Sequence, residues 1–270
     1  MVFDANKQLN EFASDYLKLA GESHAYTQKY GYSNINISTM TLVSKTNMDD
    51  INMEMIVNEF DNNITFDATL KKKQRDDVPL VTKRGKVKRN FFNQATLSFK
   101  DTTTKSIKIF TNGKMQMTGV TSMLEGVRVF TKVCHLLSKC LSTDVYCETI
   151  KIAMINSDFC IRRRVNLRKL EYYICKENKI QSVSYDPDTY PGLKIKYKGV
   201  SIFVFGTGSV VITGSDAIDR LHDAFKFIVT TVESYDDVTW DVTHEKKKTR
   251  VYENGYPKNV IECCALKYFE

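Results

Sequence analysis

The feature that most constrains this chain is a stretch that occurs twice. Residues 107–119, IKIFTNGKMQMTG, reappear as residues 202–214, IFVFGTGSVVITG, at a constant shift of 95 positions (202 − 107 = 95). Ile107 and Ile202, Phe110 and Phe205, Gly113 and Gly208, Thr118 and Thr213, and Gly119 and Gly214 are identical pairs. Each copy reads as strand, Gly turn, strand and Gly stop. A helical apolar stripe follows each copy. The first is Met123, Val127, Phe130, Cys134, Leu137 and Leu141; the second is Ile218, Leu221, Phe225, Ile228 and Val232. One hairpin-plus-helix unit has therefore been used twice, and that duplication sets the architecture.

The segments before each copy follow one plan. Residues 35–43 alternate as a strand, with Ile35, Ile37 and Thr39 on one face and Asn36, Met40 and Leu42 on the other. Asn47, with Asp49 and Asp50 behind it, predicts the cap of a helix running to Phe60. In the second half, a strand over 150–161 leads to Asn166, which caps a helix burying Leu167, Leu170 and Ile174. Hairpins then form around residues 101–104 and 197–199. Phe92 and Phe110 lie symmetrically about position 101, and Tyr190 and Phe205 about the bond between 197 and 198, so each hairpin is expected to pair two aromatic rings across its strands.

Four segments result: an N-terminal extension 1–33, a first repeat 34–148 with an insertion at 62–90, a second repeat 149–233, and a C-terminal extension 234–270. The extension 1–33 carries a short amphipathic pattern (Leu9, Phe12, Tyr16, Leu17, Ala20) expected to pack outside the duplicated unit. The last segment holds Trp240 and a basic run over 246–250, and is expected to dock back on the fold.

The motifs FxxGKMxxTG (110–119), and Tyr190-Pro191-Gly192-Leu193 leading to FxxGxVxxTG (205–214), resemble the two half-repeats of the TATA-box-binding protein family. The resemblance covers roughly residues 34–233 and suggests a divergent member, of the kind a large DNA virus could encode. It implies an α+β fold, a saddle-shaped curved antiparallel sheet with helices on its convex face. The opposite face would lie in a DNA minor groove, with aromatic pairs wedged between base steps. Carried over residue by residue, Phe92 with Phe110 and Tyr190 with Phe205 are the wedges. Thr118 and Thr213 approach base edges, and Lys114 and Lys196 contact phosphate. Gln116 and Val211 share the same face. Ile35 and Met154 stand where the family has its base-contacting asparagines, with Asn36 and Asn156 nearby, and Asp158 points to the DNA side.

Alternation gives that face independently: Phe92, Gln94, Thr96, Lys108, Phe110, Gln116 and Thr118 in the first half. In the second it gives Tyr190, Lys194, Lys196, Phe203, Phe205, Val211 and Thr213. An open face this rich in Phe, Tyr and Val points to an interaction surface. The function implied is a general transcription initiation factor that binds and bends A·T-rich promoter DNA. Its partners would be a transcription-factor-B-like adaptor and the RNA polymerase machinery. The alternative is an interaction scaffold within a transcription complex, without autonomous DNA binding.

Charge qualifies this picture. The chain has 39 basic and 32 acidic residues, a net +7. Residues 71–90 alone hold nine basic and two acidic groups, also +7 (9 − 2), so the remainder sums to zero. The basic run is open to three readings: a solvated loop, a sequence-independent phosphate contact or a nuclear import signal. Seven cysteines without a CxxC pair, and four scattered histidines, argue against a metal or cofactor and for free thiols in a reducing compartment. No apolar run is long enough to span a membrane, and Asp4 and Lys7 do not suit a signal peptide. The expected location is the nucleus, a viral factory or the virion. The glycine-containing stretch 206–209 lacks the lysine of a phosphate loop, and no carboxylate cluster suggests an enzyme.

Overall fold

In the computed structural model the duplicated stretch closes the same turn twice. The Gly113 N–H donates to the Phe110 carbonyl at 3.0 Å, and the Gly208 N–H to the Phe205 carbonyl at 2.8 Å. The structure describes residues 5–53, 55–56, 68–70, 94–100, 103–177, 182–240, 252–253 and 256–257. The insertion's basic run at 71–90, Phe92 and the basic run of the C-terminal segment lie outside the described residues.

Two compact units form, one from residues 42–120 and 126–151 together with 1–3, the other from 4–41, 121–125 and 152–270. The elements of the first half are helix α1 (Ala5–Tyr30), β1 (Asn36–Thr46), β2 (Ala68–Leu70), β3 (Gln94–Lys100), β4 (Thr104–Phe110), β5 (Lys114–Val120) and α2 (Met123–Leu141). Those of the second are β6 (Cys147–Cys160), β7 (Arg164–Val165), α3 (Leu167–Glu177), β8 (Ser182–Ser184), β9 (Gly192–Tyr197), β10 (Val200–Phe205), β11 (Ser209–Ser215) and α4 (Ile218–Glu233). Short strands β12 (Thr239–Trp240), β13 (Tyr252–Glu253) and β14 (Tyr256–Pro257) follow, with β12 paired to β7 and β13 to β14. In the first unit the hydrogen-bonded order is β2-β3-β4-β5-β1; in the second, β8-β9-β10-β11-β6. The pairings β2–β3, β3–β4 and β4–β5, and β6–β11, β11–β10, β10–β9 and β9–β8, are antiparallel.

Strict alternation makes each hairpin two-faced. Leu97, Ile107, Ile109, Met115 and Met117 are buried in the first unit, and Leu193, Ile195, Ile202, Val204, Val210 and Ile212 in the second. The helices cover these faces. Phe130 on α2 and Phe225 on α4 are both fully enclosed, and Phe225 meets Phe159 of β6 edge-on with centroids 5.0 Å apart. The α4 stripe is buried throughout, whereas on α2 Val129, Val133 and Cys140 take the buried positions expected of Val127 and Leu141. Helix α1 packs on α4, burying Phe12, Tyr16 and Leu19 rather than Leu17.

Several local expectations are corrected. Asn47 is not the cap of the expected helix, of which residues 57–60 lie outside the described residues. Its side chain donates to the Asp144 carbonyl and accepts from the Tyr146 amide at 2.9 and 3.0 Å, while Asn52 accepts from the Met55 amide. Asn166 does cap α3, accepting from the Lys169 amide at 3.2 Å. The alternation of β1 breaks in mid-strand, because Ile37 and Met40 are both buried. The second glycine of each repeat is no stop either. In β11, Thr213 faces Asn156 and Ser215 faces Ile155, so Gly214 is the extra residue of a β-bulge and takes the left-handed φ of 85° that such a position demands. Gly119 has the matching φ of 93°. Cys134, on the stripe of α2, is buried with its Sγ 3.4 Å from that of Cys147, whereas Cys175 near the end of α3 is exposed. Among the described residues no helix is long and apolar enough to cross a membrane, and no group of three or more His, Cys, Asp or Glu could hold a metal ion.

Candidate nucleic-acid interface

The side chains on the uncovered face of each unit follow from the same alternation. In the second unit β10 presents Ser201, Phe203 and Phe205, while β11 presents Val211 and Thr213. Strand β9 adds Lys194 and Lys196, and β6 adds Asn156 and Asp158. None of these side chains is buried, although the residues between them are. In the first unit the corresponding positions are Gln94, Thr96, Lys108, Phe110, Lys114, Gln116 and Thr118, again half-buried or exposed.

The aromatic pairing differs from the simple expectation. Phe205 lies opposite Gly192 and Phe203 opposite Lys194, a shift of two residues from a Tyr190–Phe205 pairing. The cause is the turn: Lys198 and Gly199, both with positive φ, form a two-residue connection, and a turn of that type fixes the register. Because side chains alternate with period two, a two-residue slip keeps every residue on its face. The rings still meet. Tyr190 lies 5.9 Å from Phe205 and 5.9 Å from Phe203, centroid to centroid, so three rings cluster rather than two. Gly192 makes room for them, since a Cβ there would stand 2.8 Å from Tyr190 Cε1 and 2.9 Å from Phe205 Cε1. The Lys194 ammonium sits 4.6 Å from the Tyr190 ring centroid.

The first hairpin shows the same slip, with Gln94 opposite Phe110. Phe92 therefore does not face Phe110 in register, and it lies outside the described residues. What occupies the place of Gly192 is a glutamine, which leaves this face more polar. Gln116 faces Lys108 and Thr118 faces Ser106 across β4–β5.

Helix α4 steadies the hairpin that carries Phe203 and Phe205. Tyr197 stacks on Phe227 at 4.3 Å, and Lys198 donates to Asp223 at 2.7 Å, a bond that raises the lysine pKa above its usual value. Lys196 donates to Ser201 Oγ at 2.7 Å and to the Gly199 carbonyl at 3.5 Å. Asn156 accepts the Thr213 hydroxyl across β6–β11. Asp158 accepts from Ser38 Oγ of β1 at 2.7 Å, and Asn36 is half-buried two residues before that serine. Ile35 is buried, with its amide bonded to Ser23 of α1, so it does not reach the open face. Behind the sheet, Tyr32 is enclosed and donates to Glu233, which also pairs with Arg163. Burial, and then that hydrogen bond, push the tyrosine pKa up. Phe203 was legible as a face residue from alternation, but its contact with Tyr190 depends on the register, which the sequence alone misplaced.

Comparisons with known proteins agree with this arrangement. Residues 149–235 match the family model described as transcription factor TFIID, or TATA-binding protein. A TATA-box-binding protein-like protein of Acanthamoeba polyphaga mimivirus is 31% identical over 280 residues, covering 88% of this chain and 72% of the relative. The TATA-box-binding protein of Methanococcus maripaludis strain C7 is 26% identical over 134 residues, covering 49% of this chain and 70% of its own. The solved structure of the Methanococcus jannaschii protein shares the fold, with a TM-score of 0.50 at 19% identity, over 74% of this chain and 99% of that one. Repeated hairpin, bulged Thr-Gly strand, covering helix and these relatives together establish that the chain belongs to the TATA-box-binding protein family.

Proposed function

We propose that the chain is a TATA-binding-type transcription initiation factor that lays its uncovered sheet face in the minor groove of an A·T-rich promoter and bends the duplex. The observation that carries this reading is the open face of the second unit, where Tyr190, Phe203 and Phe205 cluster half-exposed over Gly192. Apolar rings suit insertion between base pairs because they gain stacking contact without demanding hydrogen-bond partners. Phe110, with Phe92 as its expected companion, is the counterpart in the first unit. Val211, Thr118 and Thr213 approach base edges. Lys114 and Lys196 contact phosphate, Gln116 and Asn36 line the face, and Asn156 offers its amide to acceptors on the bases. The run 71–90 adds sequence-independent attraction to phosphate. The remaining partners are a transcription-factor-B-like adaptor and the polymerase, and the site of action is the nucleus or a viral factory.

A mobility-shift titration of the purified chain on A·T-rich and G·C-rich duplexes, at several salt concentrations, tests the reading. The expected result is retention of the A·T-rich duplex, with an affinity that falls linearly in log–log form as salt rises. Failure to retain any duplex at low salt would refute it and leave the scaffold alternative.

A further inference from the structure

Among the described residues, Cys134 and Cys147 are two thiols that folding brings together and that DNA recognition does not use. Cys134 lies on the buried stripe of α2, Cys147 is the half-buried first residue of β6, and both belong to the first unit. Their Sγ atoms are 3.4 Å apart, although 13 positions (147 − 134) separate them in the chain. A disulfide holds its sulfurs at about 2.0 Å, so the pair has about 1.4 Å to close (3.4 − 2.0 Å), which rotation about the two Cα–Cβ bonds can supply.

The two sulfurs are not equivalent. Cys134 can donate to a Cys147 thiolate, and this bond holds the Cys147 pKa below the usual thiol value, against the opposing effect of burial. The Ser44 hydroxyl of β1, with no other hydrogen-bond partner among the described residues, acts in the same direction as Cys134. The bond to Cys147, and then burial, push the Cys134 thiol up. Cys147, more exposed and more readily ionised, is therefore the nucleophile, and Cys134 resolves its product.

We propose that Cys134 and Cys147 are a peroxide-sensitive modification site whose disulfide braces α2 against the start of β6. The Cys147 thiolate attacks one oxygen of hydrogen peroxide, breaks the O–O bond and becomes a sulfenic acid; the hydroxide that leaves takes up a proton to give water. The Cys134 sulfur, losing its proton, then displaces the sulfenic oxygen as a second water. The two thiols have given up two electrons and two protons, and the peroxide has been reduced to two waters. The cross-link constrains the unfolded chain and so favours the folded one.

The test takes the full chain, reduced and then freed of reductant, exposes it to hydrogen peroxide and blocks the remaining thiols with a maleimide in denaturant. Five of the seven cysteines (7 − 2) should carry maleimide. Trypsin cuts after Lys132, Lys139 and Lys151, so mass spectrometry should find residues 133–139 joined to 140–151, with the label on Cys140 and the link on Cys147. In Cys134→Ser, dimedone should instead trap the sulfenic acid on Cys147. Chemical denaturation should show a folded-to-unfolded ratio about 30- to 1,000-fold higher for the oxidised chain than for the reduced one, a gain that dithiothreitol reverses. Maleimide on both Cys134 and Cys147 after peroxide, with the exposed Cys175 oxidised in their place, would overturn the inference. So would a cross-link that leaves the denaturation midpoint where it was.

Discussion

Gly192→Ala is the sharpest perturbation of the aromatic cluster. The added Cβ would stand 2.8 Å from Tyr190 Cε1 and 2.9 Å from Phe205 Cε1, while ordinary contact begins near 3.4 Å. The two rings must therefore retreat by about 0.6 and 0.5 Å (3.4 − 2.8 and 3.4 − 2.9 Å). Both rings are half-exposed on a sheet surface and can swing outward, and Gly192 does not have a left-handed φ, so the backbone accepts alanine. For stability, the stiffer unfolded chain favours the variant by about 0.4–1 kcal/mol. Loosened ring packing costs about 0.5–1.5 kcal/mol. The sum lies within about 1 kcal/mol of zero. DNA binding has no such offset. A displaced wedge loses up to one base stack, about 1–3 kcal/mol, or roughly 5- to 150-fold in affinity. Denaturant midpoints and duplex titrations on the same preparations separate the two effects. Unchanged stability with parental affinity would refute the assignment of these rings as a wedge; a loss of stability above about 3 kcal/mol would make Gly192 structural instead.

Three further outcomes are expected. Phe130→Ala and Phe225→Ala, each emptying an enclosed position under its sheet, should each cost about 3–5 kcal/mol by chemical denaturation. Tyr32 has its pKa raised by folding, first by burial and then by its bond to Glu233, so the unfolded chain loses that proton first as pH rises past the ordinary value of 10.0. Its contribution to stability is thus intact below that pH and falls above it by about 1.4 kcal/mol per unit, a slope that Tyr32→Phe should remove in alkaline unfolding titrations. Replacing residues 71–90 with a short Gly/Ser bridge should weaken binding to all duplexes alike. It should also make the log-affinity against log-salt slope shallower by about 0.9 for each phosphate that the run neutralises; an unchanged slope would show that the segment touches no phosphate.

The two-faced hairpins and their helices were legible because period-two and period-3.6 patterns survive any small error of register. Phe110 and Phe205 were placed on the open face, and Phe130 and Phe225 in the core, by spacing alone. Register itself was not, because it depends on turn backbone geometry. Taking Lys198 and Gly199 as a two-residue turn would have paired Phe205 with Gly192 from the outset. The role of Asn47 was hidden for a different reason, since its partners Asp144 and Tyr146 are almost a hundred residues away and leave no local pattern. The broken alternation of burial in β1 is also nothing that composition announces. The bond between Ser38 and Asp158 likewise joins residues 120 positions apart, and only the folded chain brings them together.

If the open faces bend DNA through their aromatic rings, energy transfer between dyes at the two ends of an A·T-rich duplex will register the bend. Binding of the unaltered chain should shorten the end-to-end distance, and Phe205→Ala and Phe110→Ala, both outward-facing and so expected to fold normally, should each reduce that shortening. A bound duplex whose ends draw no closer, or variants that bend it as fully as the parent does, would contradict the account.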